Sequence, residues 1–122
     1  MHQLKTKFFQ RWQKKTTITD AELLVALAEM QAGLIDADLG GGVVKKRVAT
    51  GGRGKSSGAR TLIATNKGDR WLLVFGFEKN ERANITATEL EALQELANGF
   101  LSMSDSAIAV AVQDGAFIGL KT

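Results

Sequence analysis

Apolar side chains at helical spacing occupy the first third of the chain. Between residues 5 and 15, aromatic side chains recur at this spacing among cations, which predicts a short amphipathic helix and leaves room for a strand before it. Thr19 followed by Glu22 forms a capping-box pattern. The apolar positions after it predict a second helix that reaches about residue 32, with Gly33 as its C-cap. Together these segments predict an N-terminal helical hairpin.

The middle of the chain changes to β-type patterns. After three consecutive glycines, residues 43–48 are typical of a strand whose alternation turns Lys45 and Arg47 to one face and Lys46 to the other. Residues 60–65 and 70–77 are two further β-type runs that a short turn can join into an antiparallel hairpin. Strict alternation along the second run predicts that Trp71, Leu73, Phe75 and Phe77 share one face. We expect this face to be buried in the core and not to be a base-stacking surface.

The last third returns to helical spacing. Thr86 and Glu89 form a second capping box, and the apolar stripe from Leu90 to Leu101 predicts a helix that packs on the sheet. Residues 105–112 fit another short helix, while residues 115–122 fit a tail, an edge strand or part of a partner interface. The pattern indicates one α+β domain over residues 1–122, with the helical hairpin and a C-terminal helix on a small antiparallel β-sheet.

Composition excludes several classes of site. The 122 residues include no Cys and no Tyr, and the single His is His2 near the terminus. Disulfide scaffolds, thiolate nucleophiles, Cys-ligated metal sites and serine–histidine triads are therefore not expected. No apolar run approaches the roughly 20 residues of a membrane-spanning helix, and the N-terminus has no apolar signal core. We expect a cytoplasmic protein without a membrane partner.

Positive charge is concentrated in one part of the chain. The formal net charge is only +3, yet all but one of the 16 Lys and Arg residues precede residue 83, and no acid lies between Asp38 and Asp69. Such a stretch is either an ordinary solvated surface or a binding site for a polyanion such as nucleic acid. Its candidate phosphate-binding residues are Lys45, Lys46, Arg47 and Arg53, next to Lys55 and Arg60.

The loop within this stretch resembles a nucleotide-binding phosphate loop only superficially. Residues 49–56 read A-T-G-G-R-G-K-S, but a phosphate loop needs a helix directly after its Lys-Ser pair, and here the chain leads into a strand. Its glycines and its cations Arg53 and Lys55 can still bind phosphate, unless this is a mobile hairpin loop with incidental charges. A third polar cluster, residues 78–84, offers Lys79 and Arg82.

These motifs together resemble a known family. The helical hairpin is followed by Lys-Lys-Arg-Val at 45–48, by R-G-K-S-S-G-A-R at 53–60 and by F-G-F-E-K-N-E-R-A-N-I at 75–85. This order resembles the HigB-like branch of the RelE/ParE superfamily of toxins from type II toxin–antitoxin systems. The resemblance covers about residues 3–103, which leaves residues 104–122 as a C-terminal extension.

The resemblance implies an activity and a set of partners. RelE-like toxins are endoribonucleases that cut mRNA on the ribosome without a metal or other cofactor and are neutralised by a cognate antitoxin. By position, Arg60 is similar to the strand arginine of the superfamily, and Lys55 with Arg53 to its basic loop residues. Lys79 and Arg82 match the basic positions after the last strand. The resemblance thus implies that the catalytic residues are Lys55, Arg60, Lys79 and Arg82.

The chemistry assigns roles to these residues. In-line attack of a 2′-hydroxyl on the neighbouring phosphate needs a base, cations for the developing negative charge, and an acid for the leaving 5′-oxygen. The guanidinium group of arginine keeps its proton and therefore cannot serve as the base. A lysine among other cations can lose its proton and can take this role. The hypothesis is that Lys55 or Lys45 is the base, Arg60 stabilises the phosphorane, and Lys79 or Arg82 assists the leaving group.

The chain also departs from the family pattern. Several RelE-like nucleases use a Tyr or His near the C-terminus as acid or base, and this chain has no Tyr and only His2. Lysine chemistry or a role for Glu81 can fill that gap. A ParE-like toxin directed at DNA gyrase, or a non-catalytic module that binds nucleic acid or protein, are the alternatives, because one fold supports several activities.

Overall fold

The computed structural model describes residues 1–49 and 58–121, which form strands and helices on both sides of one sheet. Within these ranges no helix is long and apolar enough to cross a membrane. In chain order the elements are β1 (His2–Thr6), α1 (Lys7–Gln13), α2 (Asp20–Gln31), β2 (Ala37–Gly40), β3 (Val43–Val48), β4 (Ala59–Thr65), β5 (Arg70–Glu78), α3 (Ala87–Ser102), α4 (Asp105–Gln113) and β6 (Phe117–Gly119).

The sheet is mixed, so the expectation of a purely antiparallel sheet is wrong. Its strand order is β2-β3-β4-β5-β1-β6, and the only parallel pair among the described strands joins β1 to β5. The N-terminal strand therefore lies between β5 and the short edge strand β6. Periodicity indicates that a segment is extended, but it carries no information about which strand will be its neighbour, and this is why the parallel pair was missed.

The sheet has a hydrophobic core on each face. The helices α1 and α2 cover one face, where Phe9, Leu23, Leu27 and Trp71 are fully buried. The helices α3 and α4 contribute Leu93, Ala97, Phe100 and Ile108 to the core on the other face. The central strands β4 and β5 therefore have buried residues on both sides and are buried along nearly their whole length.

Most local sequence predictions are confirmed. Thr19 with Glu22, and Thr86 with Glu89, each form a reciprocal capping box at the start of a helix. The hairpin of β4 and β5 is present, and in its turn the Asn66 side chain accepts hydrogen bonds from the amides of Gly68 and Arg70. Within the segment after α4, Phe117–Gly119 forms an edge strand, which is one of the three alternatives left for it.

A β-bulge overturns the predicted aromatic face of β5. Leu62 pairs with Phe75 and Ile63 pairs with Leu73, so Val74 is an extra residue on β5. Trp71 and Leu73 consequently belong to the core under α1 and α2. The side chains after the bulge are turned to the opposite face, where Phe77 joins the other core and Phe75 packs against it.

The indole of Trp12 packs directly on Gly76, the residue between those two phenylalanines. A Cβ atom at position 76 would overlap the Cζ3, Cε3 and Cη2 atoms of that ring. Trp12 extends from α1 and packs against the core on its side of the sheet. The glycine thus allows α1 to approach β5 closely. In the sequence Phe75-Gly76-Phe77, the glycine contacts Trp12 on one face of the sheet, and the two phenylalanines pack on the other face.

A buried ionic network joins the N-terminal elements. The Lys5 ammonium, on a residue only 5% exposed, donates hydrogen bonds of 2.8 Å to Gln13 and to Asp20. Asp20 also accepts from the Gln13 amide and from the backbone N–H of Lys121. Burial raises the pKa of Asp20, but the hydrogen bonds from Lys5, Gln13 and Lys121 outweigh it and hold the pKa below its ordinary value. The network links β1, α1, α2 and the C-terminal segment.

We expect Gly76→Ala to lower the free energy of unfolding by about 1–3 kcal/mol, because the added methyl group has no space beside Trp12. Gly99→Ala is the matched control: Gly99 lies in α3, and a methyl group added there would meet no side chain or neighbouring element within 4 Å. Alanine there should raise stability by about 0.5–1 kcal/mol. Urea denaturation measures both, and equal effects of the two substitutions would contradict the proposed packing.

Candidate nucleic-acid interface

One row of side chains crosses three strands on the sheet face that α3 partly covers. Arg47 on β3 is directly opposite Arg60 on β4, and Arg60 is directly opposite Phe77 on β5. Directly opposed residues of antiparallel strands have Cβ atoms about 5 Å apart and share a face. In the next row Lys45 is opposite Leu62. The predicted side-by-side placement of these basic residues is thus present in the strand register.

The C-terminal half of α3 lies over the opposite end of this face. Ala97 and Leu101, in the C-terminal half of α3, lie against Gly42 at the start of β3. Arg47 and Arg60 belong to the opposite ends of their strands, near the connection that contains residues 50–57. Arg60 is half-buried and Arg47 is exposed. The strand register therefore places the two arginines side by side on adjacent strands, with Arg47 exposed to an approaching polyanion.

Asp36 holds Arg47 in place near the end of β3. The Asp36 carboxylate accepts a hydrogen bond of 3.0 Å from Nε of Arg47 and another of 2.7 Å from the Arg47 backbone N–H. Burial raises the pKa of Asp36, but these two hydrogen bonds outweigh it, and the pKa lies below its ordinary value. The ion pair orients Arg47 while 46% of its side chain stays exposed.

Arg82 covers the two phenylalanines that follow the bulge. Its guanidinium carbon lies 5.6 Å from the ring centre of Phe75 and 5.5 Å from that of Phe77, within cation–π range. Nε of Arg82 donates to the Asn84 carbonyl, and one terminal nitrogen pairs with Glu89. The hydrogen bonds from Arg82 and from the Thr86 amide hold the pKa of Glu89 below its ordinary value. Arg82 is thus oriented by the N-terminal turn of α3.

The remaining sequence candidates have different positions. Lys79 is exposed directly after β5, and its backbone N–H donates to the carbonyl of Gly58. Lys46 is buried on the opposite face, where its ammonium donates to the Leu34 carbonyl and pairs with Glu29 at 3.0 Å. The structure therefore separates Lys46 from the other cations. Arg53 and Lys55 lie outside the described residues.

Sequence reasoning missed the aromatic part of this surface. It placed Phe75 and Phe77 with Trp71 in one buried face, because strict alternation takes no account of a bulge. The helix predicted between residues 5 and 15 includes Phe8, which does lie in α1, but the helical spacing did not predict that its ring stacks on Phe75 at 5.9 Å between ring centres. The cations on either side of Phe8 in the sequence were the available signal for an exposed aromatic residue.

A comparison with protein families identifies the chain. The family model described as the RelE toxin of the RelE/RelB toxin–antitoxin system matches residues 1–120. The chain belongs to the RelE toxin family. As a toxin of a toxin–antitoxin system, it has a cognate antitoxin as its implied partner. The match includes α4 and β6 as well as the segments that carry the sequence resemblance. No curated protein matches the sequence significantly.

The contrast between Lys46 and Lys45 gives a stability prediction. Lys46→Ala removes a buried ammonium and leaves the Leu34 carbonyl without this donor, so we expect the free energy of unfolding to fall by about 1–3 kcal/mol. Lys45→Ala, one residue earlier and half-buried on the other face, should change stability much less. Chemical denaturation of both variants tests this. A larger loss for Lys45→Ala would contradict the assigned faces of β3.

Proposed function

We propose that this RelE-family toxin is a ribosome-dependent mRNA endoribonuclease that inhibits translation in the cytoplasm. The observation that carries the proposal is the row Arg47–Arg60–Phe77, which sets two arginines on adjacent strands of a rigid sheet with Arg82 beside them. Membership of a family of translation-inhibiting ribonucleases supports it. The segments at 53–60 and 75–85 favour the HigB-like branch.

Arg60 is the proposed stabiliser of the transition state. Attack by a 2′-hydroxyl adds negative charge to the phosphate, and fixed cations that need no rearrangement lower the energy of that state. Arg60 is on a strand with neighbours on both sides and is half-buried, so its backbone position is well defined. Its guanidinium can donate two parallel hydrogen bonds to phosphate oxygens. Arg47 and Arg82 flank it as further phosphate-binding residues.

Proton transfer is assigned to lysines. Lys45 is on the same face as Arg60 and one row away, which makes it a candidate base, and Lys55 stays the other candidate. For the leaving 5′-oxygen the candidates are Lys79 and Arg82. An arginine gives up a proton too reluctantly for this task. Arg82 is also engaged by Glu89 and two aromatic rings, so we assign the proton to Lys79 and phosphate binding to Arg82.

We expect Arg60→Ala to relieve growth arrest and to reduce mRNA cleavage by at least about a hundredfold, because one preorganised charge-stabilising donor contributes about that much. Lys121→Ala is the charge-matched control, since Lys121 follows β6 at the distant edge of the sheet. Primer extension on a reporter mRNA, with and without its start codon, measures cleavage after induction of the toxin.

The start-codon comparison separates the possible targets. Cleavage within codons that disappears when translation is blocked is the expected result. Growth arrest with intact mRNA and a DNA-damage response would replace the nuclease by a gyrase-directed toxin. Equal loss of cleavage in Arg60→Ala and Lys121→Ala would contradict the assignment of the site to this sheet face.

The two candidate bases can be distinguished by substitution with arginine, which keeps the charge but cannot act as a base at neutral pH. We expect one of Lys45→Arg and Lys55→Arg to lower the cleavage rate on ribosomes by about 10²–10⁴-fold with substrate affinity retained, and the other to leave the rate nearly unchanged. Single-turnover cleavage measures the rate. Full activity in both variants would remove these lysines from the mechanism.

A further inference from the structure

Phe8 is the one predominantly exposed aromatic residue in the part of the chain that the structure describes. It is 54% exposed at the start of α1, whereas the other aromatic side chains in these ranges are half-buried or buried. One side of its ring lies against Phe75, with ring centres 5.9 Å apart and planes inclined by only 16°. An exposed aromatic ring held by a stacked neighbour is pre-oriented for a further planar group.

The position of Phe8 is determined by where β1 ends. Strand β1 runs beside the first part of β5 as far as the pair Lys5 and Leu73, and the chain then turns into α1. The Thr6 hydroxyl accepts from the Phe9 amide and fixes this helix start. The second half of β5 therefore has no β1 residue beside it in the register, and Phe8 lies against Phe75 there.

Phe8 and the arginine row are connected through two rings. Phe75 lies between Phe8 and Phe77, with its ring centre 6.5 Å from that of Phe77, and Phe77 is directly opposite Arg60. Arg82 lies over both central rings. The result is a continuous strip that begins at cations suited to phosphate and ends at an open aromatic ring.

We propose that Phe8 is a base-stacking subsite for a single-stranded RNA nucleotide close to the one whose phosphate Arg60 binds. This inference rests on the proposed function and adds a base-recognition element to the same site. Unpaired RNA bases stack on aromatic side chains while basic side chains bind the backbone. The exposed cation Arg11, one turn after Phe8 on α1, favours a polyanionic ligand over an apolar protein segment.

The test uses the full chain and two fluorescent RNAs of equal length: a uridine oligonucleotide, and its counterpart with the bases removed and the sugar–phosphate backbone intact. We expect Phe8→Ala to weaken binding of the uridine RNA by about ten- to a hundredfold, the range for loss of one stacking side chain. The abasic RNA should bind the variant and the wild type equally. Fluorescence anisotropy over a range of salt concentrations provides the dissociation constants.

Matched variants distinguish stacking from bulk and charge. Phe8→Leu keeps an apolar side chain and should lose affinity as Phe8→Ala does, whereas Phe8→Tyr should retain it. The salt dependence should be unchanged in all three and reduced in Arg60→Ala, which removes a phosphate contact. Full affinity in Phe8→Leu, or equal losses on both RNAs, would overturn the proposal.

Three further outcomes test this inference, and the last of them separates it from the proposed function. If wild-type protein binds both RNAs equally, there is no base-stacking subsite and the proposal fails. If Phe8→Ala binds RNA normally but binds the antitoxin more weakly, Phe8 belongs to a protein interface and the proposal also fails. Base-dependent RNA binding through Phe8 without ribosomal cleavage of mRNA would instead overturn the proposed function and leave the stacking subsite intact.

Discussion

The bulge at Val74 is the constraint on which the arrangement of the candidate site depends. An extra residue in β5 reverses the facing of every side chain that follows it. Before the bulge, Trp71 and Leu73 belong to the core under α1 and α2. After it, Phe75 and Phe77 are on the face that carries Arg60. Without the extra residue these two rings would face α1, and Arg60 would have no aromatic neighbour on β5.

Alternation on β3 separates structural cations from accessible ones within three consecutive residues. Lys46 is buried against α2 and pairs with Glu29, whereas Lys45 and Arg47 are on the face of the candidate site. Desolvating an ammonium group is costly, so a buried lysine needs an acid and a further acceptor, and Lys46 has both. Lys5 follows the same rule with Asp20 and Gln13. A count of basic residues in the sequence therefore overestimates the charge available to a polyanion.

Local features of the sequence predicted much of the fold because they depend on neighbouring residues only. Both capping boxes, the turn after β4, the helix α4 and the alternation of Lys45 to Arg47 are of this kind. The parallel pairing of β1 with β5 and the bulge depend on contacts between distant segments, and no periodicity encodes them. The arginines of the site were accessible from sequence, since Arg47 and Arg60 flank one glycine-rich segment. The aromatic neighbours of these arginines were not accessible from sequence, because the bulge determines on which face of the sheet those rings lie.

The second capping box also has a consequence beyond the helix that it starts. Glu89 accepts from the Thr86 amide, as a residue at that position of a capping box does, and the same carboxylate pairs with Arg82. The start of α3 thus determines where Arg82 lies over Phe75 and Phe77. A phosphate that approaches Arg82 meets a guanidinium already oriented by an acid and two rings. Glu89 partly neutralises the positive charge of Arg82. Arg82 therefore offers a phosphate a well-oriented guanidinium rather than a large net charge. Arg47 is in a similar position, because Asp36 pairs with its guanidinium.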